Sequence, residues 1–165
     1  MRSSNETDAD IEKLIQAIYQ NCPNLRYLKL TFNSQFDNSN SVISTEFEKL
    51  LINCQFLNGF IIGICDAVIA SIYNISWDKL FEILTRSSPI SLFKFKFYSY
   101  DTIKLEYLKS FFDNWINRKP MLLKIFNYNI NRQQLEDLTA EYKAKGIIKR
   151  YYINHGHIYK DFEWI

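Results

Sequence analysis

The chain has 165 residues, of which 47% are hydrophobic and 16% aromatic, enough for one domain with a substantial core and too apolar for a disordered polypeptide. Its net charge of +2, from 20 basic and 18 acidic residues, creates no electrostatic demand for nucleic acid or an anionic membrane. Three cysteines, behind an N-terminal stretch without the apolar core of a signal peptide, point to a reducing compartment, cytoplasmic or nuclear.

In chain order, residues 1–10 are polar and read as a flexible lead-in. Asn5-Glu6-Thr7 matches a glycosylation sequon, with no export signal to make it usable. Ile11, Leu14, Ile15 and Ile18 then recur at helical spacing behind a potential cap at Asp10. The stretch NCPNLRYLKLTFN (21–33) follows. Its Leu25, Leu28, Leu30 and Asn33 spell L-x-x-L-x-L-x-x-N, a short strand ending in an amide able to bond turn backbone.

That unit recurs. Phe47, Leu50, Leu51 and Cys54 form a second helical stripe, opened by Thr45 with Glu48 at capping-box spacing. NCQFLNGFIIGI then overlays the first strand without gaps at an interval of 32 residues, placing Leu57, Phe60, Ile62 and Cys65 on the equivalent positions. Asn58, Asp66, Ser71 and Asn74 interrupt the apolar run 56–75, which reads as a buried strand and a crossover rather than a membrane span. A third helix carries Trp77, Leu80, Phe81 and Leu84 after Ser76. Its strand, with one extra residue after Pro89, turns Leu92, Phe95 and Phe97 inward; without that residue the set becomes Ile90, Phe93 and Phe95. A fourth helix holds Leu105, Leu108, Phe111, Phe112 and Trp115 after Asp101. Its strand, again with one extra residue after Pro120, would place Leu123, Phe126, Tyr128 and Asn131 inward. The last helix has Leu135, Leu138 and Tyr142 behind Asn131 with Gln134, and the last strand Ile148, Tyr151 and Ile153, with Gly156 at the amide position.

One helix-and-strand unit cannot bury both its apolar faces, whereas parallel stacking buries them together. Strands about 4.8 Å apart and helices about 10 Å apart force such a stack to curve. The expected fold is therefore α/β, a leucine-rich-repeat solenoid over 11–156 with strands on the concave side, helices on the convex side, four clear repeats and a degenerate fifth. Residues 157–165 contain Ile158, Tyr159, Phe162, Trp164 and Ile165. They read either as a cap on the last repeat or as an exposed aromatic peptide.

The N-C-P-x-L-x-x-L-x-L-x-x-N/C signature resembles the cysteine-containing leucine-rich repeats of fungal F-box/LRR proteins over residues 11–156. Repeats of 31–35 residues are longer than usual for that family, and the F-box that docks on a ubiquitin ligase is absent from this sequence, so this chain is not expected to carry ligase recruitment. The resemblance implies a non-catalytic protein-interaction module, the substrate-recognition part of an F-box-type ubiquitin ligase adaptor. The alternative is a stand-alone repeat scaffold or inhibitor with no ubiquitin connection.

No motif announces chemistry. There is no G-x-S-x-G, P-loop, G-x-G-x-x-G or H-E-x-x-H, and pairs such as Glu46/Glu48 and Glu136/Asp137 fall on helices as solvated faces or caps. Cys22, Cys54 and Cys65 occupy packing positions, and His155 and His157 fit no zinc spacing. The chain reads as no enzyme, with no cofactor and no metal. Function is then expected on the strand positions that alternate with the core set: Tyr27, Lys29 and Thr31; Gly59, Ile61 and Gly63; Lys94, Lys96 and Tyr98; Ile125, Asn127 and Asn129; Arg150, Tyr152 and Asn154. The binding candidates are Tyr27, Lys29, Lys94, Lys96, Tyr98, Asn127, Arg150 and Tyr152. This basic, aromatic strip suits an acidic or extended protein segment, with nucleic acid a weaker alternative.

Overall fold

The computed structural model describes residues 4–32, 41–64, 77–99, 102–127 and 129–154. Helices and strands alternate: α1 (Ser4–Asn21), β1 (Tyr27–Phe32), α2 (Ser41–Asn53), β2 (Gly59–Ile64), α3 (Trp77–Ser87), β3 (Lys94–Ser99), α4 (Leu105–Asp113), β4 (Met121–Asn127), α5 (Arg132–Ala144) and β5 (Ile148–Asn154). The strands form one parallel sheet in chain order, β1-β2-β3-β4-β5. A parallel pair needs a crossover, and here each crossover contains a helix. Successive helices touch one another.

The register places Leu28, Phe60 and Phe95 in one row and Leu30, Ile62 and Phe97 in the next, as the repeat alignment predicts for the first three strands. These residues face the helices. Phe47 of α2 stacks on Phe60 at 5.4 Å, Phe81 of α3 meets Phe97 edge-on at 5.2 Å, and Trp115, just past α4, meets Phe95 at 5.1 Å. Each ring both removes apolar area from water and adopts a favourable quadrupolar geometry, so the aromatic content is concentrated in the seam between the layers.

The turns entering the first strands also repeat. Cys22 N–H donates to Ile18 O and Leu25 N–H to Cys22 O; thirty-two residues on, Cys54 donates to Leu50 and Leu57 to Cys54. Cys54 is fully buried, its Sγ lies 3.8 Å from Cys22 O, and burial pushes its thiol above the usual range, as expected of a packing residue. Elsewhere Asn131 caps α5 by accepting from Gln134 N–H at 3.1 Å, and Gly146, at φ 76°, supplies the left-handed residue that ends the same helix. Arg118 donates from Nη1 to Ser88 O and from Nη2 to Thr85 O, both at 3.0 Å, satisfying carbonyls at the end of α3 while its guanidinium lies over Trp115.

Four expectations are corrected. In β4 the buried positions are Met121, Leu123, Ile125 and Asn127, and Phe126 lies on the other face. Leu123 pairs with Phe95 and Ile125 with Phe97, so the Pro120 alignment was displaced by three residues. Asn127, assigned to the exposed strip, is instead 2% exposed on the helix side. Its Nδ2 donates to Ser99 O at 3.2 Å and its Oδ1 accepts from Asn129 N–H at 3.1 Å, so it performs the turn-bonding role expected of Asn131. Second, α2 starts at Ser41, leaving Thr45 inside the helix rather than at its cap. Third, α1 starts at Ser4, so most of the expected lead-in is helical. Fourth, α4 begins after Lys104, three residues beyond Asp101. The expectations for Asn33, Cys65, Ser76, Tyr128, His155, Gly156, His157 and the segment 157–165 lie outside the described residues. Among the described residues no helix is long and apolar enough to cross a membrane.

Candidate functional site

Among the described residues every helix lies over the Phe95/Phe97 side, and the other side of the sheet carries strand side chains. Its centre is β2, GFIIGI, where the two glycines leave a furrow between β1 and β3. Side chains from both neighbours close over it. At the Gly59 row, Lys94 Nζ donates to Tyr27 Oη at 3.1 Å and lies 5.2 Å from that ring's centre. At the Gly63 row, Tyr98 Oη and Thr31 Oγ1 are hydrogen bonded at 3.0 Å, and Lys29 Nζ lies 5.8 Å from the Tyr98 ring. A Cβ at residue 63 would fall 1.9 Å from Tyr98 Cζ, so glycine is what makes room for the ring.

Of the predicted site residues, Tyr27, Lys29, Lys94, Lys96 and Tyr98 come together on this face. Arg150 and Tyr152 continue it at the β5 edge. Asn127 does not belong to it. Lys124 and Phe126 do, and the sequence alignment missed both: Lys124 pairs in register with Lys96 and with Tyr152, lies 5.7 Å from the Tyr152 ring, and Phe126 packs beside the same ring at 6.2 Å. The signal that could have found them is the single lysine in MLLKIFN, which on a half-buried strand belongs on the side away from the core.

The face is electrostatically one-sided. Lys29, Lys94, Lys96, Lys124 and Arg150 all stand on it, no strand contains Asp or Glu, and every acidic residue among the described residues lies on a helix. Exposure varies across it: Tyr27 is 39% and Tyr152 46% exposed at the flanks, whereas Ile61 is fully buried and Lys96 is 1% exposed in the middle. The Lys94–Tyr27 and Tyr98–Thr31 crossings flank Ile61. An ammonium as buried as that of Lys96 requires compensating charge or acceptors around it.

On the helix side, a groove of about 390 Å³ between α3 and α4 is lined by Asp78, Glu82, Arg86 and Tyr107 among others. Its Arg86 binds Glu82 through Nη1 at 2.9 Å and Glu48 of α2 through Nε and Nη2, both at 2.9 Å. Arg86 and the Ser87 hydroxyl hold the Glu48 carboxyl below the usual carboxylate range. Tyr19 similarly donates to Glu46 at 2.8 Å, joining α1 to α2. These groups tie neighbouring helices together; they do not converge on a point where a substrate atom would react. Comparison of the chain with protein-family models, curated proteins and solved structures finds no match.

Proposed function

We propose that the chain is a non-catalytic protein-interaction module of the leucine-rich-repeat type, and that the sheet face opposite the described helices takes an extended, acidic protein segment. The repeat reading is supported by five helix-and-strand units in chain order, by the shared turn at Cys22 and Cys54, and by apolar rows that pass from strand to strand in register. On this reading the stack curves with the strands inside. By resemblance, the module selects substrates for an F-box-type ubiquitin ligase, in the cytoplasm or nucleus.

The observation that carries the binding proposal is the one-sided charge that the described strands place on this face, with tyrosines at both flanks. Lysine and arginine steer an acidic partner and fix its register, while tyrosine adds contact area with little rotamer entropy to lose. The test is quantitative pulldown with the wild-type chain and with a Lys29→Glu/Arg150→Glu variant as bait. A protein partner retained by the first and lost from the second supports the reading; identical retained sets overturn it. Salt sensitivity of nucleic-acid binding checks the competing ligand class, since phosphate contacts would lose affinity steeply between about 50 and 200 mM salt. An in-frame F-box in coding sequence upstream of Met1 would support the ligase assignment.

A further inference from the structure

The edge of the sheet at which the chain enters each strand goes beyond that reading. Because the five strands are parallel, the turns that follow the helices all lie along this one edge. Three of them hold a large apolar side chain out in water: Phe56 is 57%, Ile90 81% and Ile116 63% exposed, and Ile52 in the last turn of α2 is exposed as well. These turns are neighbours. Ser91 Oγ donates to Gln55 O at 2.7 Å and to Leu57 O at 2.8 Å, which holds the Ile90 turn against the Phe56 turn. Arg118 ties the Ile116 turn to Ser88 O, two residues before Ile90. Turns stacked in this way stand between a strand spacing of about 4.8 Å and a helix spacing of about 10 Å apart. Exposed apolar residues scattered singly are ordinary, whereas a row of them marks an interaction surface.

We propose that this edge docks on an anionic phospholipid bilayer, with Phe56, Ile90 and Ile116 entering the boundary between headgroups and acyl chains. Two observations choose this occupant. The exposed side chains stand on the tips of separate turns, and a bilayer yields around such a row without needing a matching pocket. Charge is the second. The turns from helix to strand, residues 22–26, 54–58, 88–93, 114–120 and 145–147, contain Arg26, Arg118, Lys119 and Lys145 and no Asp or Glu. Arg26 and Lys119 are exposed, in reach of anionic headgroups. Two copies meeting edge to edge would bring these like charges together, which disfavours a dimer through the same row. The net charge of +2 conceals the local excess, because the acidic residues of the described chain lie on the helices. With the strands upright on the bilayer, the sheet face remains available to the protein segment proposed above.

Co-sedimentation of the full wild-type chain with sucrose-loaded vesicles tests this. Vesicles of phosphatidylcholine with about 30% phosphatidylserine should pellet the chain, pure phosphatidylcholine should pellet far less of it, and raising salt from about 50 to 200 mM should weaken the binding. Ile90→Ser/Ile116→Ser should bind on the order of tenfold more weakly, since two apolar side chains no longer leave water. Both positions are mostly exposed, so circular dichroism of this variant should match the wild type. A wild-type chain that stays in the supernatant overturns the proposal, whether or not it dimerises. Equal binding by the wild type and the serine variant also overturns it, because the contact would then lie elsewhere. If the serine variant loses its fold, Arg26→Glu/Lys119→Glu decides instead: it should lose the preference for phosphatidylserine, and an unchanged preference rejects the idea. The Lys29→Glu/Arg150→Glu variant of the pulldown should still pellet with anionic vesicles, so the two proposals fail separately. Vesicle binding lost in that variant and kept in the serine variant would assign the lipid contact to the sheet face and reject this edge.

Discussion

The two faces of β3 are made by alternate residues of one six-residue strand, KFKFYS, and they are held by different physics. Phe95 and Phe97 point to the helices, fully buried among rings from α3, α4 and Trp115, and their contribution is area and shape. Lys94, Lys96 and Tyr98 point the other way; Lys94 and Tyr98 reach sideways over the glycines of β2 to Tyr27 and Thr31, while Lys96 lies beside Ile61. The first face is stabilised by burial, which tolerates little loss of volume. The second is mixed: its flanks at Tyr27 and Tyr152 are exposed and exchange protein contacts for water at small net cost, whereas its centre at Ile61 and Lys96 is buried.

The largest effect should come from the first face. Phe95→Ala should cost about 3–5 kcal/mol in urea denaturation, because a full aromatic volume is removed from a site enclosed on all sides. Leu28, 9% exposed near the β1 edge, should fall lower in the same range when changed to alanine. If Tyr27→Ala proved equally damaging, the division between the faces would fail.

Two substitutions of intermediate effect sharpen the boundary. Asn127→Ala should cost about 1–3 kcal/mol, since it strips a buried partner from Ser99 O and from Asn129 N–H. Calorimetry showing no loss would mean that water replaces the amide. Gly63→Val should also cost about 1–3 kcal/mol by driving the Tyr98 ring from its furrow, and pairing it with Tyr98→Ala should recover part of that loss.

The smallest effects lie on the outer surface of the helices. The Glu48–Arg86 pair joins half-exposed groups, so water screening holds its coupling in a double-mutant cycle to about 0.2–1 kcal/mol. The Glu48 carboxyl is depressed, so its stabilisation is present above its ordinary pKa of about 4.5 and is lost as pH falls through the lower folded value. Glu48→Gln should therefore lower stability at neutral pH by a small amount of that order, converge with the wild type in acid, and so flatten the acid limb of a stability-versus-pH curve. A steeper acid limb would contradict the pairing.

The sequence was most legible where core and surface residues alternate cleanly. YLKLTF and GFIIGI overlay without gaps, and of the two sets open to the third strand the structure has Leu92, Phe95 and Phe97, with the extra residue after Pro89. MLLKIFN has apolar residues on both of its faces, so alternation alone could not fix it. Anchoring on Pro120 then carried the alignment three residues too far, although the paired positions of β3 and β4 are only 28 apart (94 to 122) against 35 for β2 and β3 (59 to 94). The start of α2 was misplaced because Thr45 with Glu48 fits the capping-box spacing equally well inside a helix. At the candidate site, the strip itself was visible from alternation. The crossings over Gly63 were not, since they depend on which residues of β1 and β3 flank an absent side chain, and only the three-dimensional register supplies that. Lys124 was hidden by the same slip that put Asn127 on the wrong side.

Chain-order pairing of the sheet has a kinetic consequence. Tyr27 meets Gly59, Gly59 meets Lys94, Lys94 meets Leu122 and Leu122 meets Arg150, so no strand waits for a segment more than 35 residues away. Parallel sheets usually fold slowly because distant ends must find each other, and loop-closure entropy grows with the length enclosed. Here every closure is of similar, modest length. Assembly can zip outward from the aromatic middle, with the two edge strands joining last and fraying first.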